Sequence, residues 1–172
     1  MPLLEIIEAP DPRLTAHSAP VERIDADLLK LMDDMLETMY AAPGIGLAAP
    51  QVGVGRRVFV ADVAGEEERK PLFVINPEIV WVSDEVSTAE EGCLSLPKQF
   101  GEVTRPARVR LCHLDREGQQ REIEAEGLLA RCLQHEIDHL DGVLFTDHLS
   151  TLKRNMIMRR LAKAKRFARS AG

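Results

Sequence analysis

The sequence predicts an α+β fold in which antiparallel strands pack around a central helix, with a further helix at the C-terminus. Three observations carry that reading. Between Asp25 and about Tyr40, the residues Leu28, Leu31, Met32, Met35, Leu36 and Met39 recur at helical spacing, so a long first helix is expected with its methionines in the core. Four strand-like runs follow, RRVFVADV, PLFVINPEIVWV, ARVRLCHLD and QQREIEAEG, separated by charged or Gly/Pro-containing turns. GLLARCLQHEIDHLDG then runs without proline and ends at Gly142, where a left-handed cap suits glycine. A chain of 172 residues with 45% hydrophobic residues can bury one ordinary core, so residues 1–172 are read as a single domain, without repeats or low-complexity stretches. Trp81, inside IVWV, reads as a packing residue.

The central helix carries the first chemical signal. Residues four apart lie on one helical face, so His135 and His139 of HEIDH can share a metal ion. Glu136 then stands beside that ion, where its carboxylate can take a proton from an attacking water and pass it to a leaving amine. A catalytic site of this kind needs a third protein ligand and one open position. Cys132 shares the face of His135 but is seven residues from His139, about 10 Å along the axis at roughly 1.5 Å per residue, so three ligands on this one helix do not converge. Cys112 sits in the alternating VRLCHLD run, where cysteine usually serves as a small hydrophobe. Cys93 follows Gly92 in EEGCLSLP, where glycine and proline let the backbone aim the thiolate, and it is the best candidate.

Other arrangements built on H-E-x-x-H fit poorly. The metzincin pattern finds its glycine at Gly142, but Phe145 stands where the third histidine is required, and His148 comes three residues late. No Asp or Glu follows Asp147, which removes a downstream glutamate ligand and disfavours a general zinc metallopeptidase.

With two histidines and a cysteine, the site resembles that of peptide deformylases, and the resemblance extends beyond the ligands. GIGLAAPQ at Gly44 to Gln51 is similar to the family's G-x-G-x-A-A-x-Q segment. EGCLS at Glu91 to Ser95 and QHEIDH at Gln134 to His139 match its two other signatures, in the same order and spacing. The likeness runs from PDPRL at Pro10 to Leu14 through the C-terminal helix. It implies an α+β fold and a cytoplasmic, monomeric hydrolase that removes the formyl group from the formyl-methionine of nascent polypeptides and releases formate.

Carried over residue by residue, the resemblance implies Cys93, His135 and His139 as ligands of one divalent ion. That ion is Fe2+ in the family's physiological form, with Zn2+, Ni2+ or Co2+ able to take its place. Glu136 becomes the general acid/base. Gln51, through its side-chain amide, and Leu94, through its backbone N–H, become donors to the oxyanion. Gly44, Ile45 and Gly46 offer backbone groups to an extended peptide, as a strand added to an edge. Ile45, Leu128 and Cys132 form the methionine pocket, and Arg131 is expected to line it with its stem while its charged head reaches water. The family also suggests a Glu91–Arg105 ion pair that holds the cysteine loop, and Phe100 falls at the rim of the cleft. Every residue with an assigned chemical role is present, which argues against a catalytically silent member.

Charge is partitioned along the chain. From Ser150 to Gly172 there are eight bases and no acid, so the rest carries 14 bases against 28 acids, a net of −14 beneath the overall −6. A basic C-terminal helix over residues 150–172 can seek an acidic partner, and the bacterial-type family members it resembles dock such a helix on the ribosome. Leu152, Met156, Ile157 and Leu161 are expected to pack that helix on the body. Three cysteines, one wanted as a thiolate, point to a reducing compartment. MPLLEIIEAP is too short and too acidic for a signal peptide, and no run approaches a membrane span.

Overall fold

The structure, a computed structural model, describes residues 3–171, with side chains described through residue 168. The predicted class holds. A five-stranded antiparallel sheet has the order β1 (Gly46–Ala48), β2 (Val58–Ala61), β3 (Leu72–Val82), β6 (Arg108–Leu114), β7 (Gln120–Glu126). A separate two-stranded ribbon is formed by β4 (Val86–Cys93) and β5 (Leu96–Pro106). Among the described residues, three α-helices complete the fold, α1 (Ala26–Ala41), α2 (Gly127–Leu140) and α3 (Thr151–Ala171).

Helix α1 starts where the Asp25 side chain accepts the Leu28 N–H at 2.9 Å, satisfying one of the unpaired donors of the first turn. Leu28, Met32, Met35 and Met39 are fully buried, as their spacing predicts. They pack against Leu47, Val58, Val60 and Ile75 on one face of the sheet. On the other face, Ala130, Leu133, Ile137 and Leu140 of α2 meet Phe59, Ala61, Val74 and Leu111. All four residues of β2 are therefore buried, alternating between the two helices. This explains why VFVA is continuously apolar instead of alternating. Helix α2 ends as the sequence predicts, with Gly142 at a φ of 77° just past the last turn.

The ribbon is the part that periodicity misses. Its strands expose mostly polar residues, while Glu91, Val103 and Arg105 turn inward. Leu96 and Val103 join a third cluster with Ile7, Leu14, Phe145, Ile157 and Leu161, so that α3 is anchored to the ribbon through two residues of its apolar stripe. The other two expected anchors do not pack. Leu152 is 71% exposed and Met156 is also exposed, because the helix seats along Ile157, Met158 and Leu161. Trp81 packs as predicted, though at the surface and not in the core. It is 42% exposed, with the guanidiniums of Arg108 and Arg110 each 5.7 Å from its ring, as cation–π neighbours on the outer surface of β3 and β6.

Tyr40, the chain's one tyrosine, fastens the end of α1 to the segment after β2 by donating its hydroxyl to Asp62. Burial, reinforced by that carboxylate, pushes the phenol up to about 12. A folded pKa above the unfolded value of about 10 stabilises the fold below pH 10, and that contribution disappears as pH rises through 12. Titration of phenolate absorbance should therefore show a midpoint near 12 in the folded protein, and Asp62→Asn should bring it down.

Candidate metal and active site

Helix α2 and the ribbon meet at the bottom of a cleft of about 680 Å³. Its walls include Gly44, Ile45 and Gly46 on one side and Leu94 and Phe100 on the ribbon side, with Leu128, Cys132 and His135 on α2 between them. All the residues proposed to bind substrate thus line one cavity. Cys132 is buried, with its S–H directed at the Ile45 carbonyl at 3.6 Å. Phe100 stands at the rim, 61% exposed.

At the base lie three potential ligands. The Nε2 atoms of His135 and His139 are 3.1 Å apart, and Cys93 Sγ is 3.3 Å from His139 Nε2. One donor atom from each of the three residues falls within 4.8 Å of the others. Donors on a tetrahedral ion at 2.0–2.3 Å stand about 3.3–3.8 Å from one another, so this cluster needs little adjustment to hold one. Burial alone would push the His135 imidazole down, but its hydrogen bonds to Cys93 and Glu91 and the field of Glu136 hold it well above its ordinary value. His139 goes the other way, pushed well below by burial and then by the neighbouring His135 and Arg105.

The surrounding residues fix these donors. His135 Nδ1 lies 3.0 Å from Glu91 Oε1, which leaves Nε2 facing Cys93 and His139. Arg105 pairs with Glu91 in a two-pronged contact at 2.6 and 2.9 Å, both side chains only 4% exposed, so the expected ion pair exists and is buried. Burial would raise the Glu91 carboxyl, but the hydrogen bonds from Arg105 and His135 hold it well below the usual carboxylate range.

Glu136 behaves differently. It is buried, its Oε1 has no hydrogen-bond partner among the described residues, and burial, only partly offset by His135 and Arg105, pushes its carboxyl up to about 7. Space for it comes from Gly46, where a Cβ would stand 2.8 Å from the Glu136 carboxyl carbon. A carboxyl poised near neutrality beside a ligand cluster suits proton transfer in both directions.

Gln51 is buried in the short helical turn after β1. Its Oε1 accepts the Ala48 N–H at 3.0 Å, which directs the amide nitrogen toward Cys93 Sγ at 3.4 Å and Ser95 Oγ at 3.1 Å. Leu94 follows Cys93 at the tip of the ribbon and also lines the cleft.

One sequence expectation is overturned. The Arg131 head does not reach water: its side chain is 11% exposed, and its guanidinium turns inward onto Glu91 and the carbonyls of Ser87 and Val103. The ribbon offers a buried carboxylate and two carbonyls that solvent would otherwise have to satisfy. Two participants escape sequence reasoning altogether. Ser95 accepts from Gln51, and Asp138, inside the HEIDH motif, accepts from Arg105 at 2.9 Å and contacts His148 at 2.8 Å. No spacing signal marks either.

Comparison with known proteins decides the family. Residues 3–155 match the family profile described as polypeptide deformylase. The chain belongs to the polypeptide deformylase family. It is 57% identical to the peptide deformylase of Agrobacterium fabrum, across 96% of this chain and 98% of that one, and 58% identical to that of Rhizobium meliloti, across 95% of each. Among solved structures, the peptide deformylase of Ehrlichia chaffeensis superposes with a TM-score of 0.93 at 44% identity, covering 97% of this chain and 99% of that one. The Legionella pneumophila enzyme gives 0.91 at 47% identity, covering 97% and 98%. Polypeptide deformylases are metal-dependent hydrolases that remove the N-formyl group from nascent polypeptides.

Cys93→Ala should weaken cobalt binding by at least about tenfold, since it removes one of three ligands. Cobalt titration, following the thiolate-to-cobalt absorption band, checks this, and that band should be absent from the variant.

Proposed function

We propose that Cys93, His135 and His139 hold one ferrous ion and that Glu136, Gln51 and Leu94 carry out deformylation beside it. The observation that carries this reading is the convergence of the three ligand atoms within 4.8 Å next to the buried Glu136, whose Oε1 has no hydrogen-bond partner among the described residues. A thiolate with two imidazoles also suits zinc, nickel or cobalt. Iron is assigned from the resemblance to the family's physiological form. When bound, the ion supplies Lewis acidity that polarises the formyl carbonyl and favours ionisation of water at neutral pH.

The residues then act as follows. The peptide lies along Gly44, Ile45 and Gly46, with its methionine side chain between Ile45, Leu128 and Cys132. Glu136 accepts the proton of the water that attacks the formyl carbon. Gln51, whose amide already faces Cys93, and the Leu94 N–H donate to the oxygen that becomes negative. Glu136 returns the proton to the amine nitrogen as the C–N bond breaks, leaving formate and a free amino terminus. A monomer is assigned from the resemblance to the family's usual state. A thiolate ligand and three unpaired cysteines fit a reducing, cytoplasmic setting. No helix among the described residues is long and apolar enough to cross a membrane.

Glu136→Gln should keep the ion and lower kcat for a short formyl-Met peptide by about 10²- to 10⁴-fold. Formate release, measured alongside bound-metal content, tests this. Release at the wild-type rate by the variant would overturn the mechanism.

Helix α3 provides the second element of the reading. Lys153, Arg154, Arg159, Arg160, Lys163, Lys165 and Arg166 lie at exposed positions while Ile157 and Leu161 anchor the helix; Arg169 belongs to the same basic run, and its side chain lies outside the described residues. This basic surface suits ribosomal RNA. Deleting the residues after Leu161 should abolish co-sedimentation with ribosomes at low salt, with formate release from the short peptide retained. Unchanged sedimentation would remove the docking assignment.

A further inference from the structure

The ribbon β4–β5 shares no strand pairing with the five-stranded sheet, yet it carries Cys93 while α2 carries both histidines. The ribbon is joined to the sheet at its base and packs through Leu96 and Val103 on the third apolar cluster, and side chains that cross between it and α2 complete the placement of Cys93 against the histidines. Arg131 makes the most such contacts from the helix. Its Nη1 donates to Glu91 Oε2 at 2.6 Å and to the Val103 carbonyl at 2.9 Å, and its Nη2 donates to the Ser87 carbonyl at 2.7 Å. Ser87 and Glu91 belong to β4 and Val103 to β5, so one guanidinium holds both strands of the ribbon. Arg131 also lies one helical turn before His135, and the two residues take opposite oxygens of the same Glu91 carboxylate. Glu91 in turn stands two residues before Cys93 on the strand that ends in the thiol.

We propose that Arg131 is a positioning residue for the ligand cluster: by clasping both strands of the ribbon to α2, its guanidinium holds the Cys93 thiol against the two imidazoles and slows escape of the ion. The inference rests on the ligand assignment above and goes beyond the Glu91–Arg105 pair, which joins two residues of the ribbon itself. Its specific chemical requirement is a planar fork with several donors. A lysine at this position keeps the charge but offers one nitrogen, which cannot span Ser87, Glu91 and Val103 together.

The test is the rate at which cobalt-loaded protein gives up its metal to an excess of chelator, followed by decay of the thiolate-to-cobalt band without substrate. Arg131→Leu should release cobalt about 10- to 100-fold faster than the wild type, in the range of other changes to groups that support metal ligands. Arg131→Lys should fall between the two, a partial rescue that loss of packing alone does not produce. Release from Arg131→Leu within about twofold of the wild-type rate would overturn the proposal. If Arg131→Leu does not fold, Arg131→Lys decides alone: faster release supports the clasp, and wild-type release removes it. Cys93→Ala is measured in parallel. Cobalt bound as tightly by that variant as by the wild type would mean that the ligand assignment has failed, independently of what Arg131 does.

Discussion

The carboxylate of Glu91 is the interaction on which the site depends. Its two oxygens receive Arg105 through two nitrogens, Arg131 through one, and the Nδ1 of His135, drawing together the ribbon and the central helix. A buried anion is costly unless it is paired and its lone pairs are satisfied. Here it is met on both oxygens, and removing one partner of such a cluster typically costs about 3–5 kcal/mol because a charge is left uncompensated. The same carboxylate orients the His135 ring, so one residue serves both the attachment of the ribbon and the aim of a candidate ligand.

Glu136 shows the opposite solution to burial. It lies one residue from His135, yet its Oε1 has no hydrogen-bond partner among the described residues, and burial raises its carboxyl to about 7. The contrast between two buried glutamates, one held ionised by cations and the other left close to neutrality, separates the structural role from the chemical one. Gly46 belongs to that contrast, since the backbone can approach Glu136 closely only because no Cβ intervenes.

Much of this was legible in the sequence, because the elements that face the core carry periodic apolar residues. Helix α1, the central helix and strands β2, β3, β6 and β7 follow from the spacing of residues such as Met32, Met35, Phe59 and Leu111, and Gly142 marks the end of the central helix as expected. The candidate ligands were visible through the i, i+4 spacing of His135 and His139 and the glycine before Cys93. The ribbon was not, because its inward-facing positions include Glu91 and Arg105, whose burial is satisfied by ions and whose pattern therefore resembles an exposed loop. Arg131 was misread for the same reason: its partners, Glu91 and two backbone carbonyls, are brought to it only by the ribbon's fold. Strand β1 has only three residues, too few for a period to register.

The separate pairing of the ribbon has a consequence for how the three donors are held together. A five-stranded sheet with buried faces shares its backbone ladder across the whole core, whereas β4 and β5 pair only with each other. The ribbon is fixed instead by the short connections at its base, by the apolar packing of Leu96 and Val103 and by the ion pairs of Glu91 and Arg105. The cysteine and the two histidines therefore sit on elements joined by different means, and the spacing of the three donors is set where the ribbon's packing and ion pairs meet the helix, not by one continuous ladder of backbone hydrogen bonds.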